Sequence, residues 1–223
     1  MNHIYYTGIF SLIVQFITGV IDYYSINLTI PASFTIIREL LVMELIVQII
    51  EFSFYVWMLL NFDVNRNITP IRYYDWMITT PTMLITFMIY LKFLSNQEQN
   101  IKSDSFFTEL KKEWKVILNV ILLNCGMLIS GYLGEQKLFS HLTTTLVGFV
   151  PFLLMFYIIY TNFAVKSTQG QKIFWYFSSV WAIYGIAALF PYKIKNSMYN
   201  ILDLFSKNFF GLFLAYVLYK AHN

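Results

Sequence analysis

Five ionisable side chains fall inside long apolar stretches of this sequence: Glu44, Glu51, Asp75, Asp203 and Lys207. A charge at bilayer depth is expensive, so such residues mark function or a partner. Lys207 has about eight residues of its stretch before it and a dozen after. At 1.5 Å per helical residue it is too deep to snorkel comfortably to either surface. A lysine there must be neutralised, paired or chemically modified. Asp203, four residues earlier, shares its helix face and offers a structural ion pair. The alternative is an imine-forming lysine, because burial favours the uncharged amine that Schiff-base chemistry requires.

The elements that hold these groups can be read from hydropathy. The 223 residues are 58% hydrophobic and 12% charged, with mean hydropathy +0.59, about half the charge of an ordinary soluble domain. Apolar stretches lie near 4–23, 34–60, 73–94, 115–133, 141–164, 173–191 and 199–219, each about long enough for a ~30 Å hydrocarbon core. The expected architecture is an all-α membrane protein, a seven-transmembrane helix bundle forming one domain over 1–223. The first stretch lacks a basic leader and a small-residue cleavage site, so it reads as a retained helix. With the N-terminus outside and the C-terminus cytoplasmic, Arg38, Lys92, Lys102, Lys111, Lys112, Lys115, Lys166, Lys172 and Lys220 lie inside, and Arg66, Arg72, Lys137, Lys193 and Lys195 outside. That excess follows the positive-inside rule. The net charge of +3 is thereby a matter of topology and gives no hint of nucleic acid.

Cys125 is the lone cysteine, which excludes an intrachain disulfide and argues against a metal site. His3, His141 and His222 fall near chain or span ends. The chain shows no phosphate-binding glycine loop, nucleophile elbow or metal-ligand cluster, so a conventional enzyme is not expected. The longest connection, about 93–114, is polar and mixed in charge, and Thr108 to Trp114 reads as a helical lead into the fourth span. Gly170 among Ser167, Thr168, Gln169 and Gln171 marks a turn between spans five and six.

Two longer motifs are specific. Arg72 to Pro81 (RYYDWMITTP) resembles the third-helix signature of microbial rhodopsins, and Leu202 to Gly211 (LDLFSKNFFG) the seventh-helix signature with its retinal lysine. Trp181 and Tyr184 match the family's retinal-facing pair, and Asn124, Gly126, Met127 and Gly131 its fourth-helix wall. The resemblance implies all-trans retinal bound as a Schiff base to Lys207 and isomerised by light to 13-cis. It assigns Asp75 as counterion and proton acceptor with Asp203, Arg72 and Thr79, and a pocket of Trp76, Thr80, Met83, Asn124, Met127, Gly131, Trp181 and Tyr184. A buried protonated imine needs those counter-charges. Arg72 is expected to hold the outer ends of both aspartates, and Thr79 to hydrogen-bond Asp75. Gly185 and Ala188 replace a proline and a tryptophan common in relatives, which implies a looser ring end.

Pump, channel and sensor remain distinct readings. The third-helix position that carries a carboxylate in many outward proton pumps is Thr86 here, and the connection from Phe190 to Tyr199 contains no acid. Glu44 could donate a proton instead. Polar residues recur at helical spacing in four spans: Thr7, Ser11, Gln15, Thr18 and Asp22; Glu44, Gln48, Glu51 and Tyr55; Asp75, Thr79, Thr82 and Thr86; Asn196, Asn200, Asp203, Lys207 and Asn208. Such faces either glue the bundle by hydrogen bonds or meet around a hydrated path. Two glutamates seven apart favour the path, since carboxylates raise cation occupancy and exclude anions. The pattern resembles channelrhodopsins, with Ser11, Glu51 and Asn208 as a hydrogen-bonded central gate and Glu44 as a cytoplasmic constriction. The compact chain is similar to the first group of viral rhodopsins from algal giant viruses, which implies light-gated cation conduction. A weak outward proton pump through Glu44 and a photosensor are the alternatives. Membrane lipid and transported monovalent cations or protons are the expected partners. There is room for a homo-oligomer, in the plasma membrane or another membrane of the host cell.

Overall fold

With no water in the hydrocarbon to pair a free backbone, each apolar stretch must satisfy its N–H and C=O groups internally, and a helix does so. The computed structural model describes residues 3–63 and 66–223. Seven long helices follow one another: α1 (His3–Ile26), α2 (Thr35–Leu60), α3 (Thr69–Glu98), α4 (Phe106–Glu135), α5 (His141–Asn162), α6 (Thr168–Ala187) and α7 (Tyr192–His222). A π-helical turn, Leu204–Asn208, interrupts α7. All but α6 are long and apolar enough by composition to cross a membrane. The first turns of α6 carry Gln169, Gln171 and Lys172, which lower its hydropathy.

Helices α1, α3, α4 and α7 overrun their apolar stretches because hydropathy marks the hydrocarbon slab, whereas caps mark where hydrogen bonding stops. Thus α4 starts at Phe106, well before the expected 115, and takes in Thr108 to Trp114. The α6 helix begins at Thr168, where the Ser167 hydroxyl accepts from the Gly170 amide at 2.8 Å. It ends at Ala187, short of the expected 191.

Each helix packs on the next, and α7 closes the ring against α1 and α2. The odd helix count places the chain ends at opposite faces, termed here the N-terminal and C-terminal faces. Phe10, Phe16, Tyr23 and Tyr24 of α1 are more than half exposed and form its lipid side. Toward the C-terminal face the interior is apolar, with Ile37, Leu40, Leu84, Phe87, Leu214 and Leu218 almost fully buried. At that rim the Glu98 carboxylate accepts from the Thr168 and Gln169 amides at 3.2 and 3.3 Å. The Thr168 amide in particular holds the Glu98 carboxyl below the usual carboxylate range.

At the N-terminal face Lys195 Nζ of α7 lies 2.6 Å from Glu135 Oε1 of α4, both side chains nearly buried. Removing one partner of such a pair strands the other charge and typically costs about 3 kcal/mol or more. Glu135→Gln is therefore expected to lower the midpoint for thermal loss of helical circular dichroism in detergent. The double variant Glu135→Leu/Lys195→Leu should regain most of that loss. An unchanged midpoint for Glu135→Gln would mean that Lys195 finds water and the pair does not hold α4 to α7.

Candidate functional site

The π-helical turn presents Lys207 to the bundle interior, where it is 2% exposed. Such turns recur at functional sites. Three carboxylates from three helices face its Nζ: Asp75 Oδ2 of α3 at 3.0 Å, Glu51 Oε1 of α2 at 3.3 Å and Asp203 Oδ1 of α7 at 3.7 Å. The sequence suggested Asp75 and Asp203 here. Glu51, expected in a gate, joins them at ion-pair distance.

Asp203 is the most tightly held of the three. Tyr55 donates its hydroxyl to Oδ2 at 2.6 Å and Tyr184 to Oδ1 at 2.8 Å, while Tyr184 also meets Ser206 Oγ at 2.7 Å. Arg72 lies 3.6 Å from Asp203 Oδ2 and donates to Asn196 Oδ1 at 3.1 Å, to Asn200 Oδ1 and to the Tyr55 hydroxyl. It has no direct contact with Asp75, whose Oδ1 is unpartnered. Arg72 therefore attends Asp203 alone and not both aspartates, because the asparagines of α7 draw its guanidinium toward that helix. Thr79 likewise departs from expectation: its hydroxyl donates to the Asp75 backbone carbonyl at 3.0 Å, as threonines within helices commonly do, and not to the carboxylate.

A cavity with almost wholly apolar walls runs away from Lys207, the character of a small-molecule site. Trp76, Thr80, Met83, Met127, Gly131, Trp181 and Tyr184 line it, as the sequence suggested. Asn124 stands one layer behind, donating to the Thr80 hydroxyl at 2.9 Å. A Cβ at Gly131 would come 2.5 Å from the Tyr73 hydroxyl, so only glycine lets α3 and α4 close there. Gly185 and Ala188 line the far end, but the space at Gly185 is taken. A Cβ there would lie 2.8 Å from the Phe149 ring, so α5 supplies bulk that α6 lacks. Phe149 and Phe152 carry no sequence signal, because an aromatic residue on an all-apolar helix stands out from nothing. An apolar slot with tryptophans on its walls and a buried lysine at its end fits a polyene aldehyde joined to that amine.

The polar faces do meet. Every residue of the four stripes is buried or half-buried, although the half-buried Thr82 turns its hydroxyl back to the Ile78 carbonyl at 3.1 Å. From the N-terminal face inward the seam runs through Arg72 with Asn196 and Asn200, then the carboxylates around Lys207. Beyond these come Asp22 with Gln48, and then Glu44, which accepts from the Thr86 hydroxyl. The proposed gate contacts are absent: Ser11 accepts from Gln15 at 3.1 Å, the Asn208 amide is unpartnered, and Glu51 turns to Lys207. Opposite charge outcompetes neutral hydrogen bonds for the Glu51 carboxylate. Tyr55, Asn200 and Gln48 belong to the site although only their spacing singled them out.

The chain is 23% identical over 175 residues to the green-light absorbing proteorhodopsin of Gamma-proteobacterium EBAC31A08, an alignment spanning 71% of this chain and 64% of that protein, just under two thirds of its length. The crystal structure of viral rhodopsin OLPVRII is 26% identical, covers 97% of this chain and 98% of its own, and superposes with a TM-score of 0.81. The blue light-absorbing proteorhodopsin from Med12 shares the fold at 20% identity and TM-score 0.75, covering 98% of both chains. With Lys207 at the end of an apolar slot and carboxylates around its Nζ, and with residues 4–221 matching the family of bacteriorhodopsin-like proteins, the chain belongs to that family of retinal-binding microbial rhodopsins.

Proposed function

We propose that this chain is a light-gated cation channel carrying all-trans retinal in Schiff-base linkage to Lys207, with its N-terminus outside and its C-terminus cytoplasmic. One observation carries the reading: the polar atoms left without a partner in the buried seam between α1, α2, α3 and α7 are nearly all acceptors. Among the described residues, Gln15 Oε1, Asp22 Oδ1, Glu44 Oε2, Gln48 Oε1 and both Glu51 oxygens lack hydrogen-bond partners, against a single unpartnered donor on these faces, Asn208 Nδ2. Buried acceptors without donors suit cations, protons and water and repel anions.

When bound, retinal supplies the light absorption and the isomerisation that shifts the Lys207 side chain. The protein's own part is electrostatic. Asp75 Oδ2, nearest to Nζ at 3.0 Å, is the principal counter-charge and the proton acceptor. Asp203, held by two tyrosines and Arg72, is the fixed second counter-charge. Glu51, with no hydrogen bond of its own, is tied to the dark arrangement only by its 3.3 Å contact with Nζ. Displacing Nζ frees Glu51 to draw water and cations into the seam. The gate is thus an ion-pair release at Glu51, in place of a Ser11–Glu51–Asn208 hydrogen-bond lock. Glu44 and the apolar block beyond it form the C-terminal constriction. The near-complete mutual coverage with a viral rhodopsin agrees with a membrane of a host cell as the location.

A second reading has its own support. Thr86, at the third-helix position that holds a carboxylate in many pumps, bonds Glu44, so α2 delivers a carboxylate to that place. An outward proton pump would use it as the internal donor.

Lys207→Ala protein supplied with all-trans retinal is expected to show no visible absorption band. A normal band in that variant would overturn the attachment site. Asp75→Asn should absorb at longer wavelength than wild type, because the closest negative charge to Nζ is gone. An unchanged spectrum would pass that role to Asp203. Whole-cell photocurrents under two cation gradients decide between the readings. The channel gives a current whose reversal potential follows the permeant cation and shifts in Glu51→Gln. A current of one sign at every voltage, abolished by Glu44→Gln, identifies the pump.

A further inference from the structure

Asp22 of α1 is fully buried, yet the assignments above give it no task. Gln48 Nε2 of α2 donates to its Oδ2 at 2.5 Å. This clasp rests on the bare backbone of Gly211 and touches α1 at Gly19. A Cβ at Gly211 of α7 would lie 2.5 Å from Gln48 Nε2 and 2.6 Å from Asp22 Oδ2, and one at Gly19 of α1 would lie 3.8 Å from Gln48 Oε1. Gly211 is four residues beyond Lys207, so the clasp lies about 6 Å, one helical turn, further toward the C-terminal face. Glu44 follows one turn along α2 from Gln48.

What remains unsatisfied there has one chemical character. Asp22 Oδ1, Gln48 Oε1 and Glu44 Oε2 are all buried acceptors without donors. Gln48 has spent its donor on Asp22 and is itself 2% exposed. An amide carbonyl and two carboxylate groups form an oxygen set that can replace the water around a small cation. An anion would meet only repulsion. The apolar block of Leu40, Leu84, Phe87 and Leu214 lies beyond.

We propose that the Asp22–Gln48 clasp over Gly211, together with Glu44, is a binding station for a small monovalent cation between Lys207 and the C-terminal face. This rests on the channel reading and names where a permeating ion halts inside it. Asp22 is the residue that specifies it. Its carboxylate is the one charged ligand supplied by α1, and Gly211 gives it room on α7.

The test is a photocurrent reversal potential measured with a sodium gradient and, separately, with a proton gradient, for wild type, Asp22→Asn and Gly211→Ala. The visible spectrum of each variant reports that the pigment has formed. In Asp22→Asn the permeability to sodium relative to protons should fall about tenfold, the size of one lost charge-assisted contact. Gly211→Ala, which wedges a methyl group into the clasp, should shift the ratio in the same direction while leaving all carboxylates in place. A mainly proton-binding station would instead change the proton arm and leave sodium untouched, which overturns the alkali-cation assignment. A reversing wild-type current with both variants at the wild-type ratio overturns the station while sparing the channel. A wild-type current of one sign overturns the channel reading and the station with it. Should Asp22→Asn fail to form pigment, Gly211→Ala alone carries the same comparison.

Discussion

A positive charge buried in the middle of a helix bundle organises most of this molecule. An uncompensated ammonium or iminium in hydrocarbon would cost far more than the few kcal/mol by which proteins are stable. Asp75, Glu51 and Asp203 meet it from three helices within 3.7 Å, so the fold of α2, α3 and α7 is also a solution to that charge. The solution overshoots. Two cations, Lys207 and Arg72, face three carboxylates, and Asp22 and Glu44 add two more acids to the same seam. A surplus of buried carboxylates demands protons or cations to neutralise it. Under the proposed channel reading that surplus is an asset, because carboxylates raise the occupancy of positive charge in the seam.

The distribution of hydrogen bonds decides which carboxylate is fixed and which is free to respond. Asp203 receives two tyrosine hydroxyls and the Arg72 guanidinium, a network that rigidifies it. Asp75 keeps one oxygen unpartnered, and Glu51 keeps both without a hydrogen bond. The carboxylates nearest Nζ are therefore the less restrained, and a small displacement of the lysine alters their balance before it disturbs Asp203.

Much of this was legible in the sequence because membrane chemistry is unforgiving. Charges cannot be scattered through a span without reason, so Lys207, Asp203, Asp75, Glu51 and Glu44 announced themselves, and the apolar stretches placed the seven helices. The third-helix motif gave the pocket residues of α3, and single matches to the family gave those of α4 and α6. Partner choice was not legible. Helical spacing says that Glu51, Ser11 and Asn208 turn inward, but not that Glu51 reaches a charge first and leaves Asn208 unpartnered. Spacing likewise could not show that Arg72 leans on the asparagines of α7. Asp22 was counted in a polar stripe but not among the deep ionisable groups, because it lies near the end of its apolar stretch. Only the contact with Gln48, well inside α2, reveals its depth.

The two ends of the seam are closed by different physics. On the N-terminal side the stopper is the Arg72 guanidinium, charged and tied to Asn196, Asn200, Tyr55 and Asp203. In the proposed channel, a cation would meet like charge there and wait for charge-assisted bonds to rearrange. On the C-terminal side the stopper is Leu40, Leu84, Phe87 and Leu214, which offer no bond to break and exclude an ion by withholding water. Neither closure involves Lys207 directly, yet both are within a few turns of it along α7 and α3. In the proposed channel, opening would then travel as a helix displacement that loosens packing at one end and re-aims a guanidinium at the other. The π-helical turn around Lys207 is the place where α7 can absorb such a shift without losing its remaining hydrogen bonds.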